Sequence, residues 1–314
     1  MRTVSVVEWG AAPAVTDAPE PSAGPGRALV RMRAAALNPV VLAIASGRFY
    51  MPLPDPPFTS GAEAVGEVVS SERLPAGTRV WCLTMTGGFG ELVSAPEETL
   101  VPVPDALDDA LAAALGIAGL AGWMPVRERG RLAPGETVVV LGASGVVGQV
   151  AVQAARLNGA RWVVAVARSA AGRERALGLG ADVALPTGDG LAGALREACG
   201  EGADLVVDAL WGDSAGAAIG VLRRGGRHVQ VGSAERPVLE VVAGPLRGKR
   251  VDLLGFSVFS EEPSEVRRAY AELAEVAALG EVTVEIDAVP LADAPAAWAR
   301  QAAGAGGRKL VLVP

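Results

Sequence analysis

Two rhythms of apolar and polar residues divide this chain. Over roughly the first hundred residues, short apolar runs ("RALVRMRAAAL", "AVGEVVS", "TRVWCL", "GELVSAP") are broken by Pro- and Gly-rich turns such as "MPLPDPPF" and "RLPAGT". Short β-prone runs between such breakers predict an all-β unit. From about residue 130 the rhythm changes. "TVVVLG", "WVVAVA", "DVAL", "DLVVDAL" and "RHVQVG" alternate with stretches at helical spacing, which predicts an α/β unit on a parallel, doubly wound sheet. After "VDLLGFSVF" come one amphipathic helix, "PSEVRRAYAELAEVAALG", and then strand-like "VTVEIDAVPL", a short helix and "KLVLVP". This last part is too short for a domain of its own and is expected to complete the first. The predicted limits are 1–112 for the β-rich domain, 113–259 for the α/β domain and 260–314 for the returning segment.

Composition narrows the classes. At 314 residues, 50% hydrophobic, the chain can bury a sizeable core in about two domains. The net charge of -7 is spread along the sequence without a basic patch, which argues against a nucleic-acid partner. Lysine occurs only at 249 and 309; every other basic side chain is arginine apart from one histidine. Two cysteines, Cys82 and Cys199, lie far apart in no metal-like spacing, so a reducing, cytoplasmic setting is expected. "MRTVSVVEWGAAP" lacks a signal-type apolar core. Ala110 to Val126 is uncharged, but its glycines and Pro125 fit a buried helix and its connection better than a membrane span.

Chemistry concentrates around residues 138–169. The strand Thr137–Leu141 runs into Gly142, Ala143, Ser144, Gly145, Val146, Val147 and Gly148, then into "QVAVQAARL" at helical spacing. Set against the dinucleotide fingerprint, Ala143 takes the first glycine position, Gly145 the second and Gly148 the third. Gly145 lets a pyrophosphate approach N–H groups at a helix N-terminus, and Gly148 lets helix and strand pack closely. About twenty residues on, where an NAD site places an acid, stand Arg168 and Ser169, with Arg173 one turn later. A carboxylate repels a 2′-phosphate whereas guanidinium pairs with it, so the expected cofactor is NADP(H). Gly232 and Ser233, after the strand "RHVQV", complete the expected cofactor-binding set.

With these motifs go "AALNPVVLAIASGRF" (34–49), "GAEAVGEVV" (61–69), "GGFGELV" (87–93), "GIAGLAGW" (116–123), "LGLGADVAL" (177–185), "DLVVDALWG" (204–212) and "GGRKLVLVP" (306–314). In order and spacing, over essentially its whole length, the chain resembles the medium-chain dehydrogenase/reductase superfamily, in its zinc-independent quinone oxidoreductase branch. The resemblance implies a GroES-like β-domain, split in sequence, packed on a Rossmann domain, with the active site in the cleft and homodimers through the Rossmann domains. Zinc-dependent members place a histidine where Ala62 stands here. One His and two Cys in the whole chain cannot supply a catalytic zinc with about three ligands and a structural one with four, so no metal is expected. The branch pattern "NPVDxYxRSG" keeps Asn38 and Pro39 but has Val41 at the acidic position and Ala43 at the tyrosine, leaving Tyr50 as the nearby tyrosine. His228 is expected to be structural or cofactor-adjacent, and Tyr270 to lie in the core.

A nicotinamide in a metal-free site suits hydride transfer to a conjugated carbon, that of a quinone or an α,β-unsaturated carbonyl. A donor aimed at the carbonyl oxygen, Tyr50 or Asn38, would stabilise the developing charge. Two other readings stay open: a dedicated biosynthetic enoyl reductase for a polyketide-like or thioester-bound substrate, and a non-catalytic NADPH-binding protein.

Overall fold

The computed structural model describes residues 1–314. Met1–Ala118 and Glu262–Pro314 form one compact unit, and Gly119–Glu261 form another.

The first unit begins with β1 (Arg2–Val6), β2 (Ala14–Asp17), β3 (Arg27–Ala36), helix α1 (Pro39–Ala45), β4 (Phe58–Thr59), β5 (Glu63–Ser70), β6 (Arg79–Leu83), β7 (Leu92–Pro96), β8 (Val101–Pro102) and α2 (Asp109–Ala114). Strand β3 shows why the alternating runs fold so. Ala28, Val30, Met32 and Ala34 face the core while Arg31 and Arg33 face water, a period of two. Helix α1 had no counterpart in the sequence pattern, because its run "PVVLAIA" reads as apolar without helical polarity. Pro39 at the first helical position and Gly47 after its end, at φ +70°, bound it.

Helix α3 (Ile117–Met124) leads into the second unit, which comprises β9 (Thr137–Leu141), α4 (Val146–Leu157), β10 (Trp162–Val166), α5 (Ala170–Gly178), β11 (Val183–Leu185), α6 (Leu191–Cys199), β12 (Ala203–Asp208), α7 (Gly212–Val221), β13 (Leu222–Gln230), α8 (Ala243–Lys249) and β14 (Asp252–Gly255). Its six strands are all parallel, in the order β11-β10-β9-β12-β13-β14. The chain runs outward from β9 on one side and resumes on the other with β12, so a topological switch point lies between these two strands. The fold is therefore α/β, a GroES-like β-unit with a Rossmann-type parallel-sheet unit.

The chain then returns to the first unit with α9 (Pro263–Ala278), β15 (Ile286–Pro290), α10 (Ala294–Ala302) and β16 (Lys309–Val313). Strand β16 pairs antiparallel with β3 and parallel with β15, inside a seven-stranded sheet. Tyr270 on α9 is fully buried, stacks on Trp81 at 4.3 Å and donates to the carbonyl of Ala112 at 2.9 Å. No helix is long and apolar enough to cross a membrane.

Candidate functional site

In the parallel sheet, Leu141 of β9 lies opposite Val166 of β10 and Asp208 of β12, and Asp208 lies opposite Gln230 of β13. The turn 142–145, the pair Arg168 and Ser169, the turn 209–211, and Gly232 with Ser233 thus all leave the sheet at its carboxyl edge. That edge, at a switch point, is where open α/β sheets receive ligands.

The turn after β9 is shaped by its glycines. Gly142 sits at φ +78°, and its N–H and that of Ala143 both donate to Val166 O, at 3.0 and 2.9 Å. A Cβ on Gly148 would overlap the Gly142 carbonyl and the Ala143 backbone, so this helix can lie so close to its turn only without one. At Gly145, the N-cap of α4, a Cβ would meet only Gly142 O, at 3.6 Å, so the space beside it is open. The N–H groups of Val146, Val147 and Gly148 begin α4 and have no partner in the protein, since the first helical bond is from Gln149 N to Gly145 O at 2.9 Å. Ser144 fixes the turn through its carbonyl, which accepts from Gln149 Nε2 at 2.9 Å. These free donors at the positive end of a helix fit a pyrophosphate.

Arg168 is exposed at the tip of β10 and its guanidinium makes no bond within the protein. Arg173 is engaged locally, with Nη1 donating to Ala167 O at 3.2 Å and Arg168 O at 2.9 Å. Ser169 caps α5, accepting from Gly172 N at 3.1 Å. His228 and Asp208 are fully buried and paired at 2.9 Å. The other Asp208 oxygen accepts from Leu210 N and Trp211 N, at 2.8 and 2.9 Å. The pair therefore moulds the turn after β12, and His228 is sealed from any substrate.

A second constellation lies in the β-unit, within its core. Asn38, just before α1, is 1% exposed. Its Nδ2 donates to Glu63 Oε1 at 2.6 Å and to Ala36 O at 3.3 Å, and its Oδ1 accepts from Lys309 Nζ. Lysine only donates and an ionised carboxylate only accepts, so the amide can point one way alone. Glu63 Oε2 in turn accepts from Trp81 Nε1 at 2.9 Å and from Ile117 N at 2.7 Å. A Cβ on Gly116 would overlap that oxygen, which is why a glycine precedes α3. Burial pushes the Glu63 carboxyl above its usual range, opposed by the Lys309 charge and these three donors. Burial likewise pulls the Lys309 ammonium down to about 8, opposed by Glu63. Both shifts have one cause: two charges out of water, joined through an amide rather than in direct contact. Both N–H groups of Asn38 are spent here, so no donor remains for a substrate oxygen. Tyr50, by contrast, is 66% exposed, beside the ring of Phe49.

Sequence reading passed over Glu63 and Lys309. The signal was present: one of only two lysines opens the apolar run "KLVLV", and a glutamate heads "EAVGEVV". Charges set in core strands need partners.

The metal donors do not fit zinc. His228 is committed to Asp208, the buried Cys82 thiol is pushed up to about 12 and that of Cys199 to about 11, and no three His, Cys, Asp or Glu side chains converge.

The family model "Alcohol dehydrogenase GroES-like domain" matches residues 24–105, and "Zinc-binding dehydrogenase" matches residues 146–275. The rat quinone oxidoreductase (Rattus norvegicus) is 30% identical over 280 residues, covering 85% of this chain and 83% of the relative. The chain belongs to the quinone oxidoreductase branch of the medium-chain dehydrogenase/reductase superfamily. It is an oxidoreductase by that membership. The quinone oxidoreductase of Thermus thermophilus, whose structures include a complex with NADPH, is 28% identical with a TM-score of 0.82 and complete coverage of both chains. The polyketide synthase GfsB of Streptomyces halstedii is 30% identical over 285 residues, 88% of this chain but 5% of that protein.

Proposed function

We propose that this oxidoreductase uses NADPH, without zinc, to reduce the conjugated carbon of a quinone or an α,β-unsaturated carbonyl. The observation that carries the reading is the free donor cradle of α4 beside an unpaired arginine where an NAD site has an acid, in a chain of the quinone oxidoreductase branch. NADPH, when bound, supplies the hydride. Val146, Val147 and Gly148 offer N–H groups to its pyrophosphate, Gly142 to Gly145 leave it room, and Arg168 meets the 2′-phosphate. Arg173 and Ser169 hold the β10 tip in place for that contact, and Gly232 and Ser233 are assigned to the same ligand.

As the β-carbon gains hydride, the electron pair of the double bond moves toward the carbonyl oxygen. An O–H donor stabilises that charge, and a proton then completes the saturated carbonyl or the hydroquinone. We assign the donor to Tyr50, because the amide of Asn38 has no N–H to give.

The test is NADPH oxidation by the purified protein, with and without a chelator, against quinones, enals, cyclic enones and enoyl thioesters. Turnover of the first three classes that survives chelation supports the reading. No turnover of any class, with NADPH still bound, would leave a cofactor-binding protein without this activity. The matches to polyketide synthases favour a second reading, a dedicated enoyl reductase of biosynthesis. A kcat/KM for enoyl thioesters far above that for quinones would select it.

A further inference from the structure

Asn38 holds the N-cap of α1 with extended backbone, at φ −112° and ψ 153°, yet its side chain makes no cap bond. Asparagine is among the best N-caps, its Oδ1 accepting from the second or third N–H of the helix. Here that oxygen is turned away to Lys309 and the Nδ2 to Glu63. The amide therefore has two alternative tasks, bridging two buried charges or capping its own helix, and it cannot do both. Helix α1 leads, through Ser46 and Gly47, into the segment that carries Tyr50.

We propose that Lys309 is a positioning residue of the reductase, whose charge selects the bridging orientation of Asn38 and so fixes the α1 segment that presents Tyr50. This rests on the function proposed above. With Lys309 charged, its ammonium claims Oδ1 and the carboxylate of Glu63 claims Nδ2. When Lys309 loses its proton, its amine still donates to Oδ1 but as an uncharged partner, so the hold on this orientation weakens against the alternative in which Oδ1 accepts from the first turn of α1.

The charges facing this site are few. Glu63, on β5, is the acid whose charge raises Lys309, and Lys309 is the cation whose charge lowers Glu63. Cys82 on β6 and Tyr270 on α9 feel the Glu63 charge, and both are held neutral by burial. Beside Lys309 on its own strand, Arg308 pairs with Glu285 at 3.3 Å, at the surface. Asp109 on α2 pairs with Arg33 and Arg79 instead. Burial lowers Lys309 to about 8, so the change falls in an accessible pH range.

The presence of only two lysines makes the titration directly readable. In protein labelled with ¹³C-lysine, two ε-carbon signals are followed from pH 6 to 11, with Lys249→Arg assigning them. The Lys309 signal is expected to move with a midpoint near 8, and Glu63→Gln to lower that midpoint further. Wild-type kcat/KM with a conjugated substrate should fall above the same midpoint. Lys309→Met should be lower by roughly 10- to 100-fold at pH 7, as for a misplaced catalytic segment, and flat between pH 7 and 9.5. Its NADPH affinity, by fluorescence titration, should stay within about twofold. Should Lys309→Met fail to fold, the doubly neutral Glu63→Gln/Lys309→Met protein carries the same kinetic expectation. A Lys309 midpoint at the ordinary lysine value overturns the proposal, as does an unchanged pH profile in both variants. Failure of the protein to reduce any conjugated substrate would refute the assigned reaction instead, while the lysine titration is still read.

Discussion

Arg168 is one exposed side chain, and under the proposed function it is the residue that selects between the two cofactors. A charge-assisted hydrogen bond to phosphate contributes about 1.5–3 kcal/mol, roughly a 10- to 100-fold preference for NADPH over NADH. Arg173 spends one amino group on the carbonyls of the β10 tip, so it stiffens the tip more than it adds to the charge. Arg168→Asp should lose NADPH affinity and gain relative NADH use, because it adds repulsion to the phosphate and an acceptor for a free hydroxyl. Fluorescence titration of both cofactors checks this; equal wild-type affinities, or no change in the variant, would refute it. Tyr50→Phe should lower kcat by roughly 10²- to 10³-fold, as loss of an oxyanion donor does, with NADPH binding barely altered. Stopped-flow turnover at saturating NADPH reads that loss. An unaltered rate would move the proton to water.

Between elements, the link from β16 through Asn38 to β5 joins two buried charged groups. Removing one member of a buried pair leaves a charge alone and costs about 3–5 kcal/mol, whereas neutralising both is often neutral or stabilising. Lys309→Met alone should therefore unfold at markedly lower denaturant, and Glu63→Gln/Lys309→Met should recover most or all of the loss. The pH sign follows from the shifts. Lys309 titrates lower in the fold than in the unfolded chain, so its contribution is fully present above about 10.5 and is lost as pH falls through about 8. Glu63 is raised, so its contribution is fully present below about 4.5 and is lost as pH rises through its folded value. At pH 7 the wild type bears the Lys309 cost in full, so the double variant should gain more on it there than at pH 10. Denaturant titrations at pH 7 and 10 measure the difference. The elements themselves were legible wherever a single period ruled, as in β3 and α9, or where an unbroken apolar run marked a strand buried on both faces, as in β9. Helix α1 was not, since its polarity comes from Pro39, Gly47 and its neighbours rather than from its own pattern. The phosphate turn was legible because its chemistry is local; the Asn38 network was not, because its members lie far apart in sequence and meet only through sheet pairing.

At the scale of the whole molecule, strand β14 closes one side of the parallel sheet with its outer edge unpaired, and Leu253 on it is 42% exposed. Val238 and Val242, just before α8, are exposed as well. Such an edge invites pairing with a second copy about a twofold axis. Light scattering of the eluted protein is expected to give twice the chain mass of 31.8 kDa, and Leu253→Lys to shift it toward the monomer. A monomeric wild type would refute that expectation. The other sheet has a different dependence, on time. Of its strands β16 is the last to leave the ribosome, yet it is inserted between β15 and β3 and brings the one cation that answers Glu63. A β-unit without β16 would have an open strand edge and no cation for Glu63, while the whole second unit is already synthesised and free to fold. Stalling translation ahead of Lys309 should therefore leave a half-built protein of which Gly119–Glu261 resists protease and the β-unit does not.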